Sequence, residues 1–554
     1  MQRLDWFIFN KTDQNKMQVD FDYIVVGSGA TGAIAARTLV EAGCKVAVLD
    51  AGVEDEQYKS IIPNKDFISI RKEDQQQHTY FLGNKFEGIP WQTTKVGSQL
   101  TPPRNFLTEL TEKLIPFESE TFKPMESLAK GGLGGGWGCG CYLFSKPELD
   151  AIGLDESVMR KSYEAVAEHI GISGAKDDGA PYCLGELQNI LPPPKLENNL
   201  KNIFDAYAKK KNKLNKKGVY VGRSALALLT ENKNDRSAVK YKDMDFWSDK
   251  DKSAYRSWMT IDELKNKSNF TYHKNCLVLK FKETESGIEV YVKRIDTNEE
   301  KIFTCKKLIL SPGVLGTARI VIRSFDYVQE QLPVICNPYS YIPCLQWKML
   351  GKETEQYKTS FSQLVMYIDE NKSNYDVAMA ALFSYRSLLL FKLIKETPLN
   401  FADGRILMQY LQSSFTIAGI HHPEKPGPSK FIRMKKDVHS FTNDILTGQY
   451  ILSDQEEEIN KQRENKIKST LRTLGCFPLK TIHTPHGGSI HYAGTLPFDK
   501  SNKPFTLLPN GKLAGTQNVF VADGSGFKYL PAKGLTLTLM ANAHFVANNA
   551  MINE

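Results

Sequence analysis

Three groups of residues in this chain have types and spacings that could do chemistry. The first is the turn Gly27-Ser28-Gly29-Ala30-Thr31-Gly32. Gly27 permits a tight turn, Gly29 lets the backbone approach a pyrophosphate, and Gly32 allows close helix–strand packing. Phosphates would sit at the positive N-terminus of the helix that follows. Asp50 stands 18 residues past Gly32, next to Ala51, where a carboxylate can accept hydrogen bonds from a ribose. The second group is AKGGLGGGWGCGCY at 129–142, with seven glycines in fourteen positions, too many for a solvated linker. The third lies near the C-terminus: His483, His486 and His491, then Asp523-Gly524-Ser525, then Lys533-Gly534-Leu535-Thr536. A histidine can take a proton near neutral pH, which suits it to base catalysis.

The elements that must hold these residues are legible at both ends of the chain. DYIVVG (22–27) reads as a buried strand, AIAARTLVEAG as a small-residue helix stopping at Gly43, and KVAVLDAG (45–52) as a second buried strand. Together they make the strand–helix–strand unit that a dinucleotide fold requires. Residues 53–123 are polar with few signals, and 145–215 are mostly helical up to and beyond Pro192-Pro193-Pro194. Residues 269–311 read as five successive strands (NFTYHK, LVLKFKE, IEVYVKRI, KIFTCK, KLILS), with Gly287 and Asn298 in the turns between them. The section 330–474 is the least regular. Its apolar block from Val377 to Ile394 reads as a buried helix before a membrane-facing one or the lining of an apolar substrate channel, and 454–473 as a charged helix. NVFVADGSG (518–526) is strand then turn, and 535–551 is a terminal helix.

With 554 residues the chain exceeds one compact core, so two or more domains are expected. Net charge is +8, but 71 basic residues face 63 acidic ones with no basic arm, which argues against nucleic-acid binding. Nine irregularly spaced cysteines do not form a disulfide framework. Cys139-Gly140-Cys141 lacks the second pair a zinc site needs, so no metal is expected. The N-terminus has no signal-peptide pattern and no apolar run spans about 18 residues, so a cytoplasmic location without a transmembrane segment is expected.

Several motifs together carry a resemblance. Asn518-Val-Phe-Val-Ala-Asp523-Gly-Ser and Leu530-Pro-Ala-Lys-Gly-Leu-Thr-Leu-Thr-Leu-Met-Ala resemble the closing motif of glucose–methanol–choline oxidoreductases. His491-Tyr-Ala-Gly494-Thr495 is similar to that family's His-x-x-Gly-Thr. Leu308-Ile-Leu-Ser311-Pro-Gly313 with Thr317 is similar to its strand-and-turn segment, and Leu133-Gly134-Gly135-Gly136 to its internal glycine loop. The pieces follow the family's chain order from 21 to 551, although the segments between them match poorly.

The resemblance implies an α/β protein with a Rossmann-like FAD-binding domain in discontinuous pieces: 20–60, 125–150, 215–330 and 498–554. A substrate-binding or cap domain with a mixed sheet and helices would take 61–124, 151–214 and 331–497. FAD would be held non-covalently by Gly27, Ser28, Gly29, Thr31, Gly32, Asp50, Ala51, Gly134, Gly135, Gly136, Trp137, Val278, Gly313, Asp523, Gly524, Gly534, Leu535 and Thr536. His491 would take the hydroxyl proton of a small-molecule alcohol, a sugar or other polyol included, as hydride leaves for the flavin. The acceptor that reoxidises the flavin stays open: oxygen, a quinone or a protein. One departure stands out. Where the family carries a second Asn or His, this chain has Gly534, leaving vacated space beside the substrate or a role for Lys533 or His486 as substitute donor. With the segment after Thr495 also changed, to Leu496-Pro497-Phe498, two alternatives stay open, a flavin-containing lyase without net redox and a catalytically weak flavin-binding partner subunit.

Overall fold

The structure, a computed structural model, describes residues 19–84, 102–242, 249–327, 331–353, 359–384, 394 and 398–552. The first strand–helix–strand unit forms as read: β1 (Phe21–Val26), α1 (Ala30–Glu41) and β2 (Val46–Leu49). Strand β2 lies between β1 and β3 (Phe270–His273), all parallel. The meander β4 (Cys276–Thr284), β5 (Gly287–Arg294) and β6 (Glu300–Leu310) continues the sheet. The sequence reading split β6 into two strands, but one eleven-residue strand forms. Its first half pairs antiparallel with β5. Its apolar second half lies parallel between β1 and the strand Val519–Val521, buried on both faces as central parallel strands are. Helix α1 packs on the terminal helix Thr536–Ile552, where Ala33, Ala36, Ala543 and Ala547 are buried.

A second sheet, seven-stranded among the described residues, is antiparallel throughout. It contains β7 (Tyr339–Leu345), β8 (Leu364–Ile368), β9 (Ala378–Ser384) and β10 (Phe415–His421) in the order β7-β10-β9-β8. Val219–Arg223 pairs with β8 at one edge, although the sequence reading placed that stretch with the first unit. Phe477–Pro478 and Ile482–His483 pair with β7 at the other. The reading of 377–394 as a helix is corrected here: Ala378–Ser384 is a buried central strand, and 385–393 lie outside the described residues. An unbroken apolar run serves a strand covered on both faces as well as a buried helix, so periodicity could not decide between them. The charged helix forms as Asp454–Thr473, opened by a Ser453–Glu456 capping box worth about 1 kcal/mol.

A buried ion pair ties the first sheet to a third, smaller one. Arg323, in the helix Val314–Ser324 behind β6, bonds Asp444 in a bidentate pair at 2.7 and 2.6 Å. Removing one partner would leave a buried charge, at a cost of about 3–5 kcal/mol. Asp444 begins a strand of the small sheet formed by Phe117–Glu118, Asp444–Tyr450, Lys430–Lys436 and Leu332–Pro333. The short pair Ile335–Cys336 and Tyr492–Ala493 brings the histidine segment beside it. No helix among the described residues is long and apolar enough to cross a membrane.

Candidate active site

The first glycine turn is shaped by close backbone approach. Gly27 has φ +89, and a Cβ on Gly32 would lie 2.0 Å from the Gly27 carbonyl oxygen, so only glycine fits there. Thr31 is buried in the first turn of α1. Ser28 Oγ donates to Asp50 and accepts from the Gly131 amide at 2.8 Å, tying the first turn to the second glycine loop. Tyr272 OH also donates to Asp50, at 2.8 Å. Burial pushes the Asp50 carboxyl up to about 6, against these bonds, which pull it down. The amides of Asn275 and Cys276 bond the carbonyls of Ala51 and Asp50, so the turn into β4 is held against the end of β2. Val278, two residues further on, is buried opposite Val292 within the sheet.

In the second loop a Cβ on Gly134 would strike Ser257 Oγ at 2.0 Å, and Gly135 packs on Leu107. Gly136 ends the turn by donating to Leu133. Trp137 is anchored by its indole N–H to the Tyr255 carbonyl, 2.8 Å, and by Arg256 bonding its own carbonyl. Arg256 in turn pairs with Asp249.

Three motifs that are far apart in sequence then meet. Thr317 Oγ1 donates to Asp523 Oδ2 at 2.6 Å, from the helix whose N-terminus is Gly313, with φ +85. Ser525 donates to the other oxygen of Asp523 through both its amide and its hydroxyl. Gly494 and Leu496 donate to the carbonyls of Gly524 and Ser525, so the His-x-x-Gly-Thr segment lies along the Asp523 turn. Burial raises the Asp523 carboxyl above its ordinary value. Leu535 is buried and Thr536 opens the terminal helix.

His491 sits at the end of this assembly. Its Nδ1 lies 3.1 Å from Asn337 Oδ1. The Asn337 amide nitrogen donates to the carbonyls of His422, Leu530 and Pro531, which fixes its oxygen towards the imidazole. Nδ1 therefore carries the proton, and Nε2 presents a lone pair with no hydrogen-bond partner among the described residues. Desolvation lowers the His491 pKa to about 4, yet the residue keeps part of its surface exposed. Ile490 before it has φ +62, an uncommon conformation for a β-branched residue and one that turns His491 into place. The His421 ring stacks on His491, centroids 5.0 Å apart and 21° between planes, and its other neighbour is Tyr339. His421 Nδ1 is buried without a partner among the described residues, and burial holds its pKa well below the usual histidine range.

Gly534 has no vacated space beside it. A Cβ there would meet the Tyr142 ring at 3.0 Å, so the room expected for substrate is filled by an aromatic ring. Lys533 is fully buried, bonding Glu148 at 2.7 Å and Asn374 at 2.8 Å, and so holds an internal ion pair rather than a free donor. His486 packs its ring on Tyr450, 5.1 Å away, and His483 pairs with Glu464 at 3.3 Å. Sequence reasoning missed Asn337, His421 and Tyr142. Only the adjacent His421-His422 pair at the end of an apolar run offered a signal.

No family model and no curated protein matches the sequence. Among solved structures, pyridoxine 4-oxidase from Mesorbium loti superimposes with a TM-score of 0.56 at 12% identity, over 96% of this chain and 99% of that one. The two chains share a fold. The match runs nearly end to end along both chains. The residues around the glycine loops also fit a dinucleotide. A Cβ at Gly29 or Gly313 would meet nothing within 4 Å, leaving open space over both turns. Ser311 Oγ and Ser257 Oγ, hydroxyls bordering those loops, are buried without a partner among the described residues. All nine cysteines are free, and no group of three or more metal-ligating side chains occurs among the described residues.

Proposed function

We propose that this chain is an FAD-dependent oxidoreductase that oxidises an alcohol, with His491 as the base. The observation that carries the reading is the fixed tautomer of His491. Asn337 holds the Nδ1 proton, which leaves Nε2 as the nitrogen that can accept a proton from a substrate hydroxyl. A fold shared end to end with an oxidase supports the same class. Gly27, Gly29, Gly32, Asp50, the 134–136 loop, Gly313 and Asp523 would hold the FAD non-covalently, supplying a two-electron acceptor for hydride.

The chain's own residues do the rest. Burial keeps His491 neutral across the physiological range, so the base is always in its accepting form. As the substrate proton reaches Nε2 the imidazole becomes cationic, and Asn337 Oδ1 stabilises that charge through the Nδ1 proton. The stacked His421 sets a second polar ring against the His491 imidazole. Its low pKa keeps it neutral, so it does not repel the developing imidazolium.

Anaerobic mixing of the purified flavoprotein with a panel of alcohols, polyols included, tests the reading. Bleaching of the flavin absorbance by one of them supports oxidation. Turnover without bleaching would point to a lyase instead, and a colourless protein that takes up NAD would overturn flavin binding itself.

A further inference from the structure

The far end of the second sheet carries an apolar surface that the active site does not use. Fifteen large apolar side chains are exposed among the described residues, and eight of them lie in three short segments here. Trp347 is 61% exposed; Leu399, Phe401, Ile406, Leu407 and Tyr410 belong to the helix Phe401–Leu411 and its approach; Phe477 and Leu479 follow the charged helix. The segments are contiguous. Trp347 and Phe477 rings lie 5.9 Å apart, Gly351 donates to the Tyr410 carbonyl at 2.9 Å, and Ser413 bonds the Met349 carbonyl at 2.6 Å.

Phe401–Leu411 is unusual for a surface helix. Gly404 and Met408 face inward, while Phe401, Ile406, Leu407 and Tyr410 face out. Exposed apolar side chains in such a cluster mark an interaction surface rather than ordinary exposure. The charges around it choose the partner. Lys348, Lys352, Arg405 and Lys480 are exposed on the same three segments, and Arg472 in the last turn of the charged helix before the third, against Glu353 and Asp403. None of these five basic groups forms an ion pair among the described residues. Asp403 is already bonded by Asn400.

We propose that this face docks on an anionic phospholipid surface. Aromatic and aliphatic side chains would enter the headgroup boundary while the lysines and arginines meet lipid phosphates, the pattern of an interfacial protein. A second copy of the chain suits the face less well. A two-fold contact would set the five basic groups of each copy against those of the other. The face is reached along β7, whose seven residues run from Tyr339, beside His421, to the Trp347 turn, a span of roughly 20 Å.

Co-sedimentation of the flavoprotein with vesicles tests this. The probes are phosphatidylcholine alone and phosphatidylcholine with about one third phosphatidylglycerol. Binding is expected to the anionic vesicles, to weaken at least tenfold when salt is raised several-fold, and to shift Trp347 emission to the blue. The triple variant Trp347→Ser, Phe401→Ser, Ile406→Ser should lose that binding at least tenfold with an unchanged melting temperature and unchanged flavin reduction, because all three side chains are exposed. A native protein that ignores anionic vesicles overturns the proposal. So does vesicle binding that the triple variant keeps. A dimer that the triple variant dissociates would assign the face to a second copy instead.

Discussion

The two halves of the site are built by opposite means. On the glycine-loop side the structure works by leaving side chains out, so that Gly32 meets Gly27 and Gly134 meets Ser257 at distances no Cβ allows. On the histidine side it works by crowding side chains together: Asn337, His421 and His491 are drawn from three segments into one network. The first kind of site is local and leaves a spacing in the sequence. The second is assembled by tertiary contacts and leaves almost none.

Substitutions can break or sharpen that contrast. The largest effect is expected where a backbone contact is obligatory. Gly32→Val should prevent folding, visible as loss of soluble protein or of a cooperative melt. Gly29→Val meets open space, so it should keep the fold and lose only bound FAD, measured by the flavin absorbance of the purified protein. Equal damage from both would erase the distinction between packing glycines and cofactor glycines.

Next in size is His491→Ala. Flavin content and melting temperature should stay near the parent's, while anaerobic flavin reduction slows by about a hundredfold or more. Unfolding would make His491 a structural residue. Asn337→Leu should act on both properties at once. It leaves three carbonyls without their donor, a loss of about 1–3 kcal/mol, and frees the His491 tautomer, slowing reduction by roughly tenfold. A stability loss with an unchanged rate would limit Asn337 to packing.

Much of the glycine side was legible because each residue there answers to its near neighbours. β1, α1 and β2 follow from periodicity, and Asp50 lies directly after β2, where Ser28 and Tyr272 bond it. The segment from Leu308 to Gly313 and the Asp523 turn were also visible as strand and turn. The histidine side resisted. Asn337 lies 154 residues from His491, in a loop between short strands, and no periodicity marks it. Tyr142 was read as the end of a glycine loop, and nothing local shows its ring lying on Gly534, almost 400 residues later. The apolar run around Ala378 was misjudged for another reason: a fully buried strand shows no alternation.

Gly534→Asn now separates the family pattern from the packing seen. With Tyr142 at 3.0 Å, asparagine should overpack the site, lowering stability by about 1–3 kcal/mol without faster oxidation of any alcohol. A faster enzyme would mean that Tyr142 gives way.

The smallest expected effect is a flat one. The folded pKa of His491, about 4, lies below the ordinary value of 6.5. Its neutral form therefore favours the folded state fully above 6.5, and that contribution fades as pH falls towards 4. The flavin-reduction rate should vary little with this group between pH 6 and 8 and decline only near pH 4. A limb near 6.5 would show a solvated imidazole. Asp50 behaves in the opposite sense. Its carboxyl is raised to about 6, so the ionised form that a ribose hydroxyl prefers is complete only above that pH. FAD retention should weaken in the acid range before His491 titrates.

The strand Val519–Val521 lies beside β6 in the middle of the fold although it is among the last segments of the chain. A chain still being synthesised therefore has β1, β2 and β6 but lacks the neighbour that covers β6, and lacks the terminal helix that α1 packs on. The exposed edge of β6 persists until Val519–Val521, far downstream in sequence, has been made, since an N-terminal half cannot close alone.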